Sequence, residues 1–206
     1  MPTASILKVE PALLEDVPTL VDIWYAAFAD SSLLRFWPDT PGLRAWWTGA
    51  HSHDIVNKPF QRYVKIVDPE TLDAQGRPRI AAWAKWDLSM PEERGARYPP
   101  WHEETPAELL DKHIATLESG RLRVMGTRKH YYLATMVTHP DYQRRGCGST
   151  LVRWGCDLAD ENGVGAFVDA SKEGIPLYER FSFVDKSDAD SGTIVPMARE
   201  ARPQSS

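Results

Sequence analysis

The segment that most restricts how this chain can fold runs from Leu133 to Gly148, Leu-Ala-Thr-Met-Val-Thr-His-Pro-Asp-Tyr-Gln-Arg-Arg-Gly-Cys-Gly. An apolar strand-like run stops at Pro140, and glycines follow at 146 and 148. Beyond them Leu151, Val152, Gly155, Leu158 and Ala159 recur at helical spacing, with Arg153, Asp157, Asp160 and Glu161 on the other face. A strand that feeds a helix through so short a turn belongs to an α/β fold. Glycine lets backbone approach a ligand closely, and a helix start presents unpaired N–H groups carrying partial positive charge. The turn is therefore a candidate phosphate site.

The rest of the chain supplies partners for this unit. The patterning predicts an edge strand over Ser5 to Pro11 and a helix over Glu15 to Phe28, the latter carrying Val17, Leu20, Val21, Trp24 and Phe28 on one face. Residues 30–62 read as one or two short helices broken at Pro38 and Pro41. Tyr63 to Val67 and Arg79 to Leu88 read as strands of an antiparallel hairpin, turned within Pro69 to Pro78. Residues 89–130 form a connection too long to be idle in a compact domain. Its first half is rich in proline. Its second half carries a capping box, Thr105 with Glu108, then Pro106 at the first helical position and Leu110, Ile114 and Leu117 leading to Gly120. A strand over Tyr131 to Val137, the helix Gly146 to Asn162 ended by Gly163, a buried strand Ala166 to Asp169, a short helix Glu173 to Phe181, and strands Phe183 to Lys186 and Ile194 to Met197 complete the order. The fold class is mixed α/β, with a mainly antiparallel sheet and a late β-α-β unit, in one domain over 1–198 with a flexible tail at 199–206.

Composition narrows the function. A chain of 206 residues is long enough for a real core without staples, and Cys147 and Cys156 are too few for a disulfide framework or a zinc site. A net charge of −5 argues against nucleic acid as a partner and mildly suits a cationic acceptor. No apolar run approaches the ~20 residues of a membrane span, and neither end carries a recognisable address. The expectation is a cytoplasmic protein that needs no metal.

Phosphate motifs differ in spelling. A P-loop needs Gly-Lys-Ser/Thr, and here Gly148-Ser149-Thr150 lacks the lysine. A dinucleotide loop needs glycine where Leu151 stands, although Asp169 lies near the ~20-residue distance of its ribose partner. Gln143-Arg144-Arg145-Gly146-Cys147-Gly148 instead resembles the Q/R-x-x-G-x-G/A element of the GCN5-related N-acetyltransferase (GNAT) superfamily, and Val137-Thr-His-Pro-Asp-Tyr resembles the strand exit before it. Leu177-Tyr178-Glu-Arg-Phe181-Ser-Phe183 resembles the family's L-Y-x-x-x-G-F ending, with Ser182 in place of glycine, and Asp16 with its helix resembles the opening. The resemblance covers about 5–28 and 63–198 and is sharpest over 131–184. The segment from Asp169 to Tyr178 leans towards a fungal-looking branch.

This resemblance implies a GNAT-like acyl-CoA N-acyltransferase. Acetyl-CoA would be the co-substrate, a small-molecule primary amine the acceptor, and the protein a monomer or homodimer. The backbone of Arg144, Arg145, Gly146, Cys147, Gly148 and Ser149 would bind pyrophosphate. Met136, Val137 and Thr138, on a strand that bulges and splays from its neighbour, would meet the pantetheine and the thioester carbonyl, with Ser171 as a further contact. Tyr178 would be the general acid. The usual positions of a strand-borne base are Tyr132 and Ala134, neither of which is a base at neutral pH. Asp87, Glu103, Glu104 or a water remain for that role. Other readings of the same residues are a glycine-capped helix start with solvated arginines, a rim tyrosine and a serine helix cap. The rival functions are a non-catalytic acyl-CoA sensor and a protein lysine or N-terminal acetyltransferase. Trp37, Trp46, Trp47, Trp83, Trp86 and Trp101 flank the expected acceptor side, as core or as pocket wall. Residues 89–130 would cover that side. His51 and His53 read as surface residues, His139 as a turn residue, and Cys147 as a helix-start thiol of lowered pKa.

Overall fold

The computed structural model describes residues 7–188 and 194–202. In chain order these form β1 (Lys8–Pro11), α1 (Val17–Ala27), α2 (Pro41–Asn57), β2 (Gln61–Leu72), β3 (Pro78–Asp87), α3 (Ala107–Met125), β4 (His130–Thr138), α4 (Cys147–Glu161), β5 (Gly165–Ala170), α5 (Ile175–Glu179), β6 (Val184–Asp185) and β7 (Val195–Arg199), joined by short 3-10 turns. The seven strands make one sheet in the order β1-β2-β3-β4-β5-β7-β6. Every pairing is antiparallel except β4 with β5, whose crossover is α4. No helix among the described residues is long and apolar enough to cross a membrane.

Alternation along the strands sends side chains to two separate cores. On one face Trp86, Leu133, Leu151, Val152, Phe183 and Met197 pack beneath α4 and α5. A Cβ on Gly155 would lie 2.1 Å from the fully buried Trp86 ring, so this glycine is what lets α4 rest directly on β3. On the other face Leu20, Trp24, Leu43, Trp47, Trp83 and Leu110 pack between the sheet and α1, α2 and α3. The end of α3 covers Tyr132 and Phe167 with Met125. Asp16 anchors the start of α1 by accepting from buried Lys65 at 2.7 Å and from the Leu13 amide at 2.7 Å.

Several expectations are corrected. Pro41 starts a helix rather than breaking one: Thr40 Oγ1 accepts from the Leu43 amide at 3.1 Å, and the fixed φ of proline suits the first turn of a 17-residue α2. The capping box at Thr105 does not form, because the Thr105 hydroxyl donates to the His102 carbonyl at 2.6 Å and Pro106 itself is the N-cap. α3 runs through Gly120 to Met125 and stops at Gly126, which has φ +59°. β2 continues to Leu72, so the hairpin turn shrinks to 73–77, where Asp73 accepts from the amides of Gln75 and Arg77. A tail starting at 199 begins too early: Arg199 pairs with Ala166 in the sheet and holds Asp160 at 2.5 Å. Ser5, Ile6 and residues 203–206 lie outside the described residues.

Candidate active site

β4 is irregular where it matters. Against β3 it pairs Thr135 with Lys85 but Leu133 with Trp86, which leaves Ala134 as an extra residue in a β-bulge. Against β5 its pairing ends at Leu133 with Val168. Past that point the two parallel strands diverge and leave a wedge of about 240 Å³ that passes through the sheet. From the α4 side it is lined by Met136, Val168, Ser171 and Tyr178, and from the opposite side by Trp24, Trp47 and His113.

At the α4 end the chain offers backbone rather than side chains. Arg144 has φ +61° and Gly146 φ +86°, left-handed conformations that turn the loop into the start of α4. Gly146 caps α4 without a side chain, and the first amide with a backbone acceptor is Thr150, to the Gly146 carbonyl at 3.0 Å. The amides of 144–149 have no acceptor among the described residues. Gly148 does a different job: its Cβ would sit 3.2 Å from Leu177 and 3.7 Å from Met136, so it seats the helix start against α5 and β4. Arg144 and Arg145 are exposed, with Arg145 lying 4.7 Å over the Tyr142 ring, and Ser149 is half-buried. Cys147 departs from expectation. Its thiol is buried, and burial pushes its pKa up despite the helix start and Arg145. Val137 turns its side chain into the α1–α2 core and Thr138 pairs with Ala82, and neither lines the wedge, whose β4 wall ends at Met136.

Tyr178 on α5 is 7% exposed and has no hydrogen-bond partner among the described residues, and burial alone pushes its phenol up to about 12. Its ring is fixed edge-on to Phe183 at 5.9 Å, and a Cβ on Gly174 would lie 3.0 Å from it. Ser171 Oγ accepts from the Gly174 amide at 3.3 Å and also lines the wedge, so it is both helix cap and wall.

Opposite Ala134, one residue beyond the last β4–β5 pair, stands Asp169. Burial raises its pKa above the usual carboxylate range. It accepts from the Tyr132 hydroxyl at 2.8 Å, which in turn accepts from Arg97 at 2.7 Å. Glu118 receives both Arg97, at 3.2 Å, and Arg121, at 2.8 Å, and both guanidinium groups lie over the Tyr132 ring, at 5.1 and 4.4 Å. β5 thus places a part-buried carboxylate opposite the Ala134 bulge. The sequence reading weighed Asp169 only as a ribose partner, although an acid ending an apolar strand beside the glycine turn was a usable signal. It passed over His113 altogether. That ring is half-buried, stacks on Phe36 at 4.9 Å, has no hydrogen-bond partner among the described residues, and is kept neutral by burial and by Arg97 and Arg35.

Of the earlier base candidates, Asp87 lines an adjoining hollow, accepts from the Ser89 amide at 2.8 Å and lies 3.5 Å from Arg94. Glu103 and Glu104 are surface residues outside these hollows, Glu104 accepting from the Thr40 hydroxyl at 2.5 Å. Trp83 and Trp86 are core, Trp37 and Trp47 line the wedge, and Trp46 and Trp101 hold the 89–106 connection through Pro100 (2.9 Å) and Asp111 (2.7 Å). His51 is buried at 2.9 Å from the Tyr63 hydroxyl, its pKa driven to about 3 by burial and Lys85; His53 is exposed.

Comparison with known proteins bears on the family and the fold. The model of the acetyltransferase (GNAT) family matches residues 62–183. An acetyltransferase from the fungus Stachybotrys chartarum is 25% identical over 191 residues, covering 84% of this chain and 78% of its own. Among solved structures, the histone acetyltransferase HPA2 and related acetyltransferase from Corynebacterium glutamicum has a TM-score of 0.59 at 23% identity, covering 97% of this chain and 99% of its own. The PaiA N-acetyltransferase from Thermoplasma acidophilum, solved in complex with coenzyme A, has a TM-score of 0.53 at 11% identity, with coverages of 94% and 98%.

Proposed function

Because the chain belongs to the acetyltransferase (GNAT) family and is an acyltransferase, we propose that it moves acetyl from acetyl-CoA to a primary amine of a small molecule by direct attack. The wedge through the sheet carries this reading, since it is lined by Met136, Ser171 and Tyr178 on the α4 face and adjoins a hollow on the other. The 144–149 amides would hold the pyrophosphate, with Arg144 and Arg145 adding charge. The pantetheine arm would follow Met136, Val137, Thr138 and Ser171 through the opening. Backbone N–H at the β4 bulge would face the thioester oxygen, where negative charge grows as the amine adds.

The acceptor enters from the α2–α3 face, under the connection that includes Arg97 and His113. An alkylammonium is about 0.1% neutral at pH 7, so a proton acceptor is needed. Asp169 fills that role, with His113 as a second acceptor nearer the solvent. Asp169 takes one proton from the ammonium. The C–N bond then forms, the C–S bond breaks, and the amine's second proton leaves with the thiol. Tyr178 is a poor source of that proton: with its phenol near 12 and a thiol near ~8.5, transfer runs uphill by roughly 5 kcal/mol. It serves as a hydrogen-bond donor to the departing sulfur.

The test is thiol release by the purified protein from acetyl-CoA across a panel of primary amines. Amine-dependent release supports the proposal. Acetyl-CoA binding with no release for any amine or peptide favours the sensing module instead.

A further inference from the structure

The proposed reaction leaves the charged lining of the adjoining hollow unexplained. Next to the wedge, sharing Tyr132, Ala134 and Thr135 with it, is a cavity of about 260 Å³ roofed by α2, α3 and the 94–98 segment. Its wall carries Lys58, Lys85, Arg94, Arg97 and Arg121, and only two carboxylates, Asp87 and Glu118. These cations are not waving in solvent. Side-chain exposure is 4% for Arg121, 8% for Lys85, 17% for Lys58 and Arg94, and 18% for Arg97.

Their partners are shared. Lys58 and Lys85 both bind Asp54, Arg97 and Arg121 both bind Glu118, and Arg94 has Asp87 at the long distance of 3.5 Å. Five cations thus meet three carboxylates. Counting Asp169, reached through the Tyr132 hydroxyl, still leaves the group one negative charge short. Burying an unmatched charge is costly in a low-dielectric interior, and the cost falls sharply when an anion enters with hydrogen bonds to the cations. Burial first, and then the neighbouring Arg121, lower the pKa of Arg94, whereas Arg97, beside Glu118 and Asp169, is raised. Guanidinium groups also present paired donors that fit a carboxylate.

We infer that this cavity binds a carboxylate of the acceptor, which makes the acceptor an amino acid or similar amine carrying its acid a few ångströms from the nitrogen. The inference rests on the acyl-transfer reading, because the cavity opens at Ala134, beside Asp169 and the bulge. The chain's net charge of −5, which alone suits a cationic acceptor, is the reverse of the local balance.

Matched pairs test it, for example phenylalanine against phenethylamine and γ-aminobutyrate against butylamine. Binding is read first, as the thermal shift of the wild-type protein with acetyl-CoA present. The carboxylated members are expected to raise the midpoint and their amine partners not to. Equal shifts, or none for any acid, overturn the inference whatever the turnover. In thiol release, kcat/KM is expected to favour the acid by at least about tenfold, with Arg94→Gln driving that ratio towards one. Succinate should compete with the amine and not with acetyl-CoA, a readout that needs no variant. Turnover confined to carboxylate-free amines sinks this inference and leaves acyl transfer standing, whereas acetyl-CoA binding without turnover of any amine sinks acyl transfer itself.

Discussion

The two faces of the sheet handle charge by opposite means. At the start of α4 the polar groups are main-chain amides turned outward by two left-handed residues, Arg144 and Gly146, and the part-buried Arg199–Asp160 pair lies at the far end of that helix. Beneath α2 and α3 the polar groups are side chains drawn from Asp54, Lys85, Arg97, Glu118, Tyr132 and Asp169, and each is kept in position by another charge. A backbone cradle costs little to preorganise and suits a ligand part shared by every turnover. A web of buried charges is sensitive to shape and to single replacements, which suits the part of the reaction where substrates differ.

The sharpest way to break this contrast is at the junction of the faces. Asp169→Asn is expected to lower kcat by about 10²- to 10³-fold, within the range for a lost general base, while leaving the acetyl-CoA KM near wild type. A rise in that KM with kcat intact would move Asp169 to the donor side. Acid should loosen the acceptor half through its buried histidines. His51 is held near 3 and His130 near 4, below the unfolded value near 6.5. Both are neutral in the fold, so their contribution is complete above ~6.5 and is lost as pH falls towards those values, at up to about 1.4 kcal/mol per unit per histidine. Denaturant unfolding between pH 7 and 4.5 should show this slope, and His51→Gln should make it shallower.

Smaller effects sharpen the donor side. Tyr178→Phe should cost about tenfold in kcat. With the phenol near 12, the wild-type pH profile should show no fall from Tyr178 ionisation below pH 10. A full alkaline limb near 9 that vanishes in the variant would restore Tyr178 as the proton donor. Ser182 has φ +65° at the turn after α5, where glycine avoids the Cβ clash. Ser182→Gly should stabilise by about 0.5–1 kcal/mol, raising Tm by a few degrees with turnover unchanged.

What could be read from the sequence follows the same division. The amide loop, its helix and the parallel β4–β5 crossover were legible because they depend on residues close in sequence, a glycine pair, a proline stop and a helical period, whereas Tyr178 was singled out by the family resemblance alone. Asp169 was visible as a strand-end acid, but its role depends on Tyr132 lying across the β4–β5 pair and on Arg97 reaching in from the 89–106 connection. Nothing in the spacing of residues 97, 132 and 169 signals that meeting. The start of α2 is hard to see in the sequence because proline breaks a helix interior yet, after a capping Thr40, is a natural first residue. The balance of the acceptor cavity was invisible for a simpler reason: total charge averages over a surface, and the cations that matter are buried.

The central claim is that donor binding and proton removal belong to opposite faces joined by one wedge. Calorimetric titration of acetyl-CoA into the wild-type protein, Gly146→Val and Asp169→Asn tests it most directly. Micromolar binding is expected to the wild type and to Asp169→Asn, and at least about tenfold weaker binding to Gly146→Val, where a β-branched residue cannot hold φ +86°. No binding to the wild type, or equal weakening by both substitutions, would contradict it.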